Sequence, residues 1–201
     1  MGGFRCSFQS AARLAEGKYE ILGRGATLPI HGFAMRRPWR VMERAEGKLE
    51  LALTHPSYEH YPFAVELTSC FELRRSEFTL HFTVRNMGEI PMPFSAGWHP
   101  YFLTPSDQHG KAAMRVRVPA DASGRYESSY TAVSQWGPLL STSLSPAHPL
   151  FKEALHRAND DTASVTWPDG FMVELKTGRS DGDFIPYWQL PHGSGQAFYM
   201  C

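Results

Sequence analysis

The residues best suited to chemistry in this chain form the segment SAGWHPYF at positions 95–102. It sets one histidine, His99, among three aromatic rings. Histidine gives or takes a proton near neutral pH, and aromatic faces offer flat apolar surfaces on which a sugar ring stacks. Since catalytic residues favour loops at strand ends, the segment indicates acid–base chemistry on a carbohydrate. The alternative, commoner for a lone histidine, is a buried imidazole satisfied by a backbone carbonyl.

A second histidine lies in the segment LPIHGFAMRRPW at positions 28–39. His31 again stands beside glycine and an aromatic residue, and Arg36 and Arg37 follow it. Guanidinium groups suit hydroxyl, carboxylate or phosphate oxygens, so these residues are candidates for binding an oxygen-rich substrate. The alternative is that both arginines are solvated surface charges and that Trp39 belongs to the core.

The segment THPSYEHYPF at positions 54–63 raises the question of a metal site. It holds His55, Glu59 and His60, but the spacing does not match a HExxH helix and the flanking prolines oppose a helix there. A turn that leads into the next strand is the preferred interpretation, and no metal is expected. On sequence grounds none of the late carboxylates pairs with His99, and Asp169 is explained by the turn of its Pro-Asp-Gly tripeptide.

The elements that position these residues have a hydrophobic period of two, which is typical of strands with one buried face. Alternating apolar residues predict strands at 48–54, 63–68, 78–85 and 114–118, and a hairpin around the Pro-Asp-Gly turn at 165–175. We therefore predict an all-β fold, an antiparallel β-sandwich, with residues 1–201 as a single domain.

Other stretches give weaker expectations. Positions 149–157 have a brief helical pattern, and positions 126–148, rich in Ser, Thr and Pro, read as a long surface excursion. No strand is expected before residue 17. The last residues, 196–201, are apolar and strand-like. Because an unpaired apolar edge strand is a liability, the sequence is expected to be part of a larger domain, incomplete at both ends.

Composition excludes several classes of protein. The chain has 201 residues, with 20 Lys and Arg against 20 Asp and Glu, so its formal net charge is zero. Nucleic acid and anionic membranes require excess positive charge, so neither is expected as a partner. The three cysteines fit no zinc spacing, and because their number is odd, no disulfide framework is expected. Without an apolar leader or a membrane-length apolar run, a cytoplasmic protein is expected.

Two motifs in order, PIHGFA-x-x-x-PW and PMPFSAGWHPYF, resemble the aldose 1-epimerase (mutarotase) family. The Tyr-Pro-Phe at 61–63, the hairpin at 165–175 and the closing segment 196–201 also resemble it, so the similarity touches most of the chain. The resemblance implies a large antiparallel β-sandwich of the galactose mutarotase-like type, often called a supersandwich, with a sugar cleft on one face.

The same resemblance implies interconversion of the α and β anomers of an aldose or aldose phosphate. His99 would protonate the ring oxygen, and a glutamate would take the proton from the C1 hydroxyl, with no cofactor. His31 would hydrogen-bond the sugar, and Tyr101 is a further candidate contact. Glu153 stands where the family usually has a sugar-binding Asp. Met35 replaces the family's arginine, for which Arg36 or Arg37 is the candidate substitute.

The family's glutamate base follows the closing strand, which the resemblance places just past Cys201. The alternative function is therefore a non-catalytic sugar-binding or structural β-sandwich without the base. A glycoside hydrolase fragment is a third interpretation, but it requires two facing carboxylates, and the sequence nominates no such pair. The expected partner is a small-molecule sugar, and the oligomeric state is left open.

Overall fold

The computed structural model describes residues 6–8, 15–21, 23–29, 31–57, 61–94, 96–98, 100–105, 108–118, 120–126, 133–138, 143–147, 154–158, 162–176, 184–189 and 197–200. The chain divides into two compact units. We name Cys6–Gly97 the N-terminal unit, and Met1–Arg5 with Trp98–Cys201 the C-terminal unit. The single domain over residues 1–201 stays a prediction.

The first eight described strands run from the N-terminus to the unit boundary. They are β1 (Cys6–Phe8), β2 (Lys18–Ile21), β3 (Arg24–Thr27), β4 (Arg40–Ala45), β5 (Lys48–His55), β6 (Val65–Arg74), β7 (Glu77–Asn86) and β8 (Ala96–Trp98), with single 3-10 turns at Ala15–Gly17 and Ala34–Arg36. Strands β4 to β7 form a four-stranded sheet in chain order, while β2 pairs with β3 and β1 with β8.

The four-stranded sheet is antiparallel and apolar on one face. Leu53 of β5 lies opposite Leu67 of β6, which in turn lies opposite Val84 of β7. Residues directly opposite each other share a face of the sheet, so the alternating apolar positions of three strands meet. This confirms the strands predicted at 48–54, 63–68 and 78–85. The buried cluster of the unit comprises Leu28, Phe33, Ala34, Leu53, Tyr61, Phe63, Val65 and Leu67.

The C-terminal unit contains the remaining described strands and one short helix. They are β9 (Tyr101–Leu103), α1 (Gln108–Ala113), β10 (Arg115–Arg117), β11 (Ala120–Tyr126), β12 (Val133–Pro138), β13 (Ser143–Leu144), β14 (Ala154–Ala158), β15 (Thr162–Thr166), β16 (Met172–Lys176), β17 (Phe184–Gln189) and β18 (Ala197–Met200). Two antiparallel sheets result, in the orders β13-β10-β15-β16 and β12-β11-β14-β17-β18-β9.

The core of this unit follows the predicted pattern at 114–118. Met114, Val116 and Val118 are buried, while Arg115 and Arg117 between them are exposed. The hairpin predicted at 165–175 is also confirmed, since β15 and β16 pair in antiparallel register. In its turn, the Gly170 amide donates to the Trp167 carbonyl at 3.0 Å, and the Phe171 amide donates to Asp169 Oδ1 at 3.0 Å.

The helix expected at 149–157 is wrong for the part that the structure describes. Ala154–Ala158 is strand β14, which lies between β11 and β17 and pairs with both. Two neighbouring strands supply the backbone hydrogen bonds there, and such tertiary pairing overrides a weak local helix preference. Residues 149–153 lie outside the described residues. The short helix α1 was not predicted.

Three further expectations meet the structure. Part of the excursion expected at 126–148 is ordered strand, because β12 pairs with β11 and β13 with β10. The closing strand is confirmed as β18, and it lies inside its sheet between β17 and β9 rather than at an edge. Strand β1 precedes residue 17, where no strand was expected.

Among the helices of the described residues, none is long and apolar enough to cross a membrane.

Candidate functional site: the histidine–glycine–phenylalanine turn

His31 lies in a tight turn that we call the HGF turn, residues 29–33. The Gly32 amide donates to the Pro29 carbonyl at 2.9 Å, which closes the turn. His31 occupies the third position with φ +66°. A side chain in this left-handed region costs about 1–2 kcal/mol, and such strain tends to persist at functional sites. The half-buried His31 is therefore held in a backbone conformation that its own Cβ disfavours.

Phe33 anchors the turn in the core of the N-terminal unit. Its side chain is 5% exposed. The Phe33 ring stacks on the ring of His55, with centroids 4.0 Å apart and planes inclined by 23°. The Phe33 ring also lies 5.6 Å from the ring of Tyr61. Since Phe33 follows His31 by two residues, these ring contacts limit how far the turn can move.

His55 and Tyr61 hold each other by a polar contact inside this apolar region. His55 Nε2 lies 3.2 Å from the Tyr61 carbonyl oxygen. A carbonyl oxygen only accepts, so Nε2 carries the proton and donates. The Tyr61 hydroxyl donates to the Pro93 carbonyl at 2.9 Å, and the Tyr61 ring lies 5.2 Å from that of Phe63. We call Phe33, His55, Tyr61 and Phe63 the aromatic cluster.

His55 is a buried neighbour of Phe33 that the sequence interpretation did not assign to the core. That interpretation placed it in a turn, but it is the last residue of β5 and 2% exposed. The pattern contained the information, because His55 continues the alternation of Leu49, Leu51 and Leu53 on the same face of the strand. A histidine in register with three leucines indicates a core position.

The residues after Phe33 divide into a buried and an exposed set. The Trp39 indole Nε1 donates to the Ala34 carbonyl at 3.0 Å, and Trp39 packs against the buried cluster. Arg36 and Arg37 are exposed, and Met35, which precedes them in the chain, is half-buried. Both arginines thus lie within six residues of His31 along the chain and present charge to solvent; their role in substrate binding stays a prediction.

Strand β2 packs against the buried cluster that anchors the HGF turn. Tyr19 of β2 packs against the buried cluster, and burial raises the pKa of its phenol. The Leu28 amide donates to the Gly17 carbonyl at 2.8 Å, which fixes the chain just before the turn. The HGF turn is therefore braced on the side of β2 as well as by the aromatic cluster.

The second motif, at positions 91–102, crosses the boundary between the two units, and its histidine and the residues after it belong to the C-terminal unit. His99 lies outside the described residues, between β8 and β9. Tyr101, the first residue of β9, is half-buried and pairs with Tyr199 of β18. Glu153 also lies outside the described residues. The structure therefore describes His31, Arg36 and Arg37 in one unit and Tyr101 in the other.

A hydrogen bond and ring contacts secure the strand that follows His99. The Trp167 indole Nε1 donates to the Leu103 carbonyl at 2.9 Å. The Trp167 ring lies 6.3 Å from the Phe102 ring and 5.4 Å from the Phe171 ring. The hairpin of β15 and β16 thus braces β9 within the C-terminal unit. Across the described residues, no three His, Cys, Asp or Glu side chains are arranged to hold a metal ion.

Comparison with known proteins gives this geometry a context. A family model described as aldose 1-epimerase matches residues 8–166. The uncharacterised protein YphB of Escherichia coli strain K12 is 31% identical over 97 residues, which is 47% of this chain and 29% of YphB. The aligned part therefore spans less than a third of that relative.

Solved structures resemble the whole chain more closely in fold than in sequence. A galactose mutarotase related enzyme of Lactobacillus acidophilus matches with a TM-score of 0.84 at 19% identity, over 98% of this chain and 69% of that one. The Slr1438 protein of Synechocystis sp. PCC 6803 matches with a TM-score of 0.81 at 21% identity, over 100% of this chain and 68% of that one. These likenesses confirm the predicted fold class, an antiparallel β-sandwich of the galactose mutarotase-like type.

Proposed function

Because the chain belongs to the aldose 1-epimerase family, we propose that it interconverts the α and β anomers of an aldose or aldose phosphate. The observation that carries the proposal is the family match over residues 8–166, which spans both histidine motifs. The geometry of the HGF turn supports it, since a strained histidine is held on a buried cluster next to exposed arginines.

The proposed reaction is a ring opening and closure by proton transfer. His99, as the imidazolium, donates its proton to the ring oxygen while a glutamate takes the proton of the C1 hydroxyl. The bond between C1 and the ring oxygen breaks and a C1 carbonyl forms. Rotation about the C1–C2 bond followed by the reverse proton transfers closes the ring as the other anomer. No electrons are exchanged with a cofactor.

The other residues are proposed to bind the sugar. His31 donates or accepts a hydrogen bond to a ring hydroxyl, and Tyr101 and Glu153 make further contacts. Arg36 or Arg37 takes the place of the arginine that Met35 replaces, and a guanidinium there suits hydroxyl or phosphate oxygens. The proposed ligand is a small molecule, a neutral or phosphorylated sugar.

The direct test follows the optical rotation of freshly dissolved α-D-galactose and α-D-glucose with the purified wild-type protein in its full-length form, which must contain the proposed glutamate base. We expect relaxation to the anomeric equilibrium to be faster than in buffer alone. His99→Asn is expected to slow it by about a hundred- to ten-thousand-fold, the usual contribution of a general acid. The matched control is His109→Asn, because His109 is exposed on α1.

The outcomes separate the candidate functions. No acceleration by the wild-type protein contradicts the epimerase proposal. Sugar binding detected by ligand-observed NMR without acceleration would support the non-catalytic sugar-binding alternative instead. Acceleration that survives His99→Asn with an intact fold would remove His99 from the catalytic role.

A further inference from the structure

We propose that His55 is a positioning residue for His31, acting through Phe33. The idea rests on the proposed function in one respect, that His31 contacts the sugar. His55 is buried, lies outside the proposed proton transfers, and stacks on Phe33, which anchors the HGF turn in the core.

A hydrogen bond holds the imidazole of His55 in one orientation. A ring at the end of a strand rotates about χ2 unless a partner holds it. The hydrogen bond from His55 Nε2 to the Tyr61 carbonyl, 3.2 Å long, fixes this rotation. Tyr61 is itself held, because it is fully buried and its hydroxyl donates to Pro93. The imidazole therefore presents one flat face in a fixed direction.

The imidazole of His55 supports the HGF turn through Phe33. The fixed face of His55 stacks on Phe33 at 4.0 Å, with planes nearly parallel at 23°. Phe33 is two residues after His31, whose φ of +66° is a conformation that the backbone leaves readily when support is removed. The stack thus holds the strained turn from its C-terminal side and sets the position of the His31 side chain.

A purely structural role predicts something different. If His55 only stabilised the fold, its loss would lower the folded fraction and therefore the apparent kcat, while the folded molecules kept the same KM. Misplacement of a sugar-binding histidine instead raises KM and the dissociation constant for the sugar in folded molecules. The two roles are therefore separable by the direction of the kinetic change.

Two variants divide the contacts of His55. His55→Phe keeps an aromatic ring against Phe33 but loses the donor to Tyr61, and His55→Gln keeps an amide donor but loses the ring. The matched control is His81→Phe, since His81 is exposed on β7 and lies opposite Cys70. All three are first compared with the wild-type protein by urea unfolding, so that kinetics are measured where each is folded.

The expected result is a rise in KM for α-D-galactose of about tenfold in His55→Phe and His55→Gln, with kcat changed less than twofold and no change in His81→Phe. The dissociation constant for D-galactose, measured by ligand-observed NMR, should rise by the same factor. The ¹⁵N resonances of the His31 ring should shift in both His55 variants and stay in place in His81→Phe.

These measurements keep two failures apart. An inactive wild-type protein that does not bind galactose contradicts the proposed function, while the His31 resonances still test the positioning. An active wild-type protein whose KM and His31 resonances are unchanged by both His55 variants overturns the positioning role. A fall in kcat alone, in proportion to the folded fraction, would also overturn it.

Discussion

The buried cores of the two units differ in their aromatic content. The buried cluster of the C-terminal unit is aliphatic, with Met114, Val116, Val118, Ala120, Ala163 and Val165. That of the N-terminal unit combines aliphatic residues with the rings of Phe33, Tyr61 and Phe63. Two polar ring groups there, on His55 and Tyr61, donate hydrogen bonds to main-chain carbonyls. Aliphatic groups pack without direction, whereas rings with polar handles fix orientation. The aromatic core lies against the HGF turn, where orientation matters.

The largest expected effect comes from removing the ring that joins the aromatic core to the turn. Phe33→Ala leaves a cavity among His55 and Tyr61 and should lower the free energy of unfolding by about 3–5 kcal/mol. Met114→Ala in the aliphatic core should cost about 2–5 kcal/mol by the same mechanism. Urea unfolding measures both.

The NMR resonances of the His31 ring provide a second measurement on Phe33→Ala and Met114→Ala. Only Phe33→Ala should shift the NMR resonances of the His31 ring, because only Phe33 belongs to the aromatic cluster. A shift of similar size in Met114→Ala would contradict the division of labour between the two cores.

Alanine substitutions at Gly47 in the N-terminal unit and Gly170 in the C-terminal unit should differ in their effect on stability. Gly47 has φ +68°, and an added Cβ would lie 2.7 Å from the Leu73 carbonyl oxygen. Gly170 has φ +86°, and nothing lies within 4 Å of an added Cβ. Gly170→Ala should therefore cost only the left-handed strain, about 1–2 kcal/mol, while Gly47→Ala should cost more because backbone must move. Equal losses in thermal or urea unfolding would argue against the close approach at Gly47.

Tyr61→Phe removes the hydroxyl that joins the aromatic cluster to Pro93. The Pro93 carbonyl then loses this donor in a partly buried region, which should lower the free energy of unfolding by about 1–3 kcal/mol. The ring contacts of Tyr61 with Phe33 and Phe63 are kept. Native-state hydrogen exchange at the Phe94 amide reports the local effect, and unchanged exchange and stability would show that this bond contributes little.

The smallest expected effect is a gain in stability. Ser69 of β6 is 2% exposed, and its hydroxyl has no hydrogen-bond partner among the described residues. It lies opposite Leu51 and Phe82 on the apolar face. Ser69→Ala should raise the free energy of unfolding by about 1 kcal/mol, since it removes an unsatisfied buried group. Ser164→Ala, at a half-buried position of β15, should change it by less than about 0.5 kcal/mol.

Alternation along the chain predicted the three long strands of the N-terminal sheet and three strands of the C-terminal unit. It identified β5, β6, β7, β10 and the hairpin of β15 and β16, because their apolar residues recur with a period of two. It missed the helix α1 and mistook the β14 region for a helix. Strand β14 is set by pairing with β11 and β17, which are far from it in the chain, and local patterns carry no record of such partners.

The fold class, the family resemblance and the two histidine motifs can be read from the amino-acid sequence, because they depend on local periodicity and on the order of residues along the chain. The strained backbone of His31 and the burial of His55 against Phe33, at the end of a strand and not in a turn, emerge only in the tertiary structure. It also placed the closing strand inside its sheet. Those features arise from contacts between residues distant in sequence, and such contacts form only when the strands have packed.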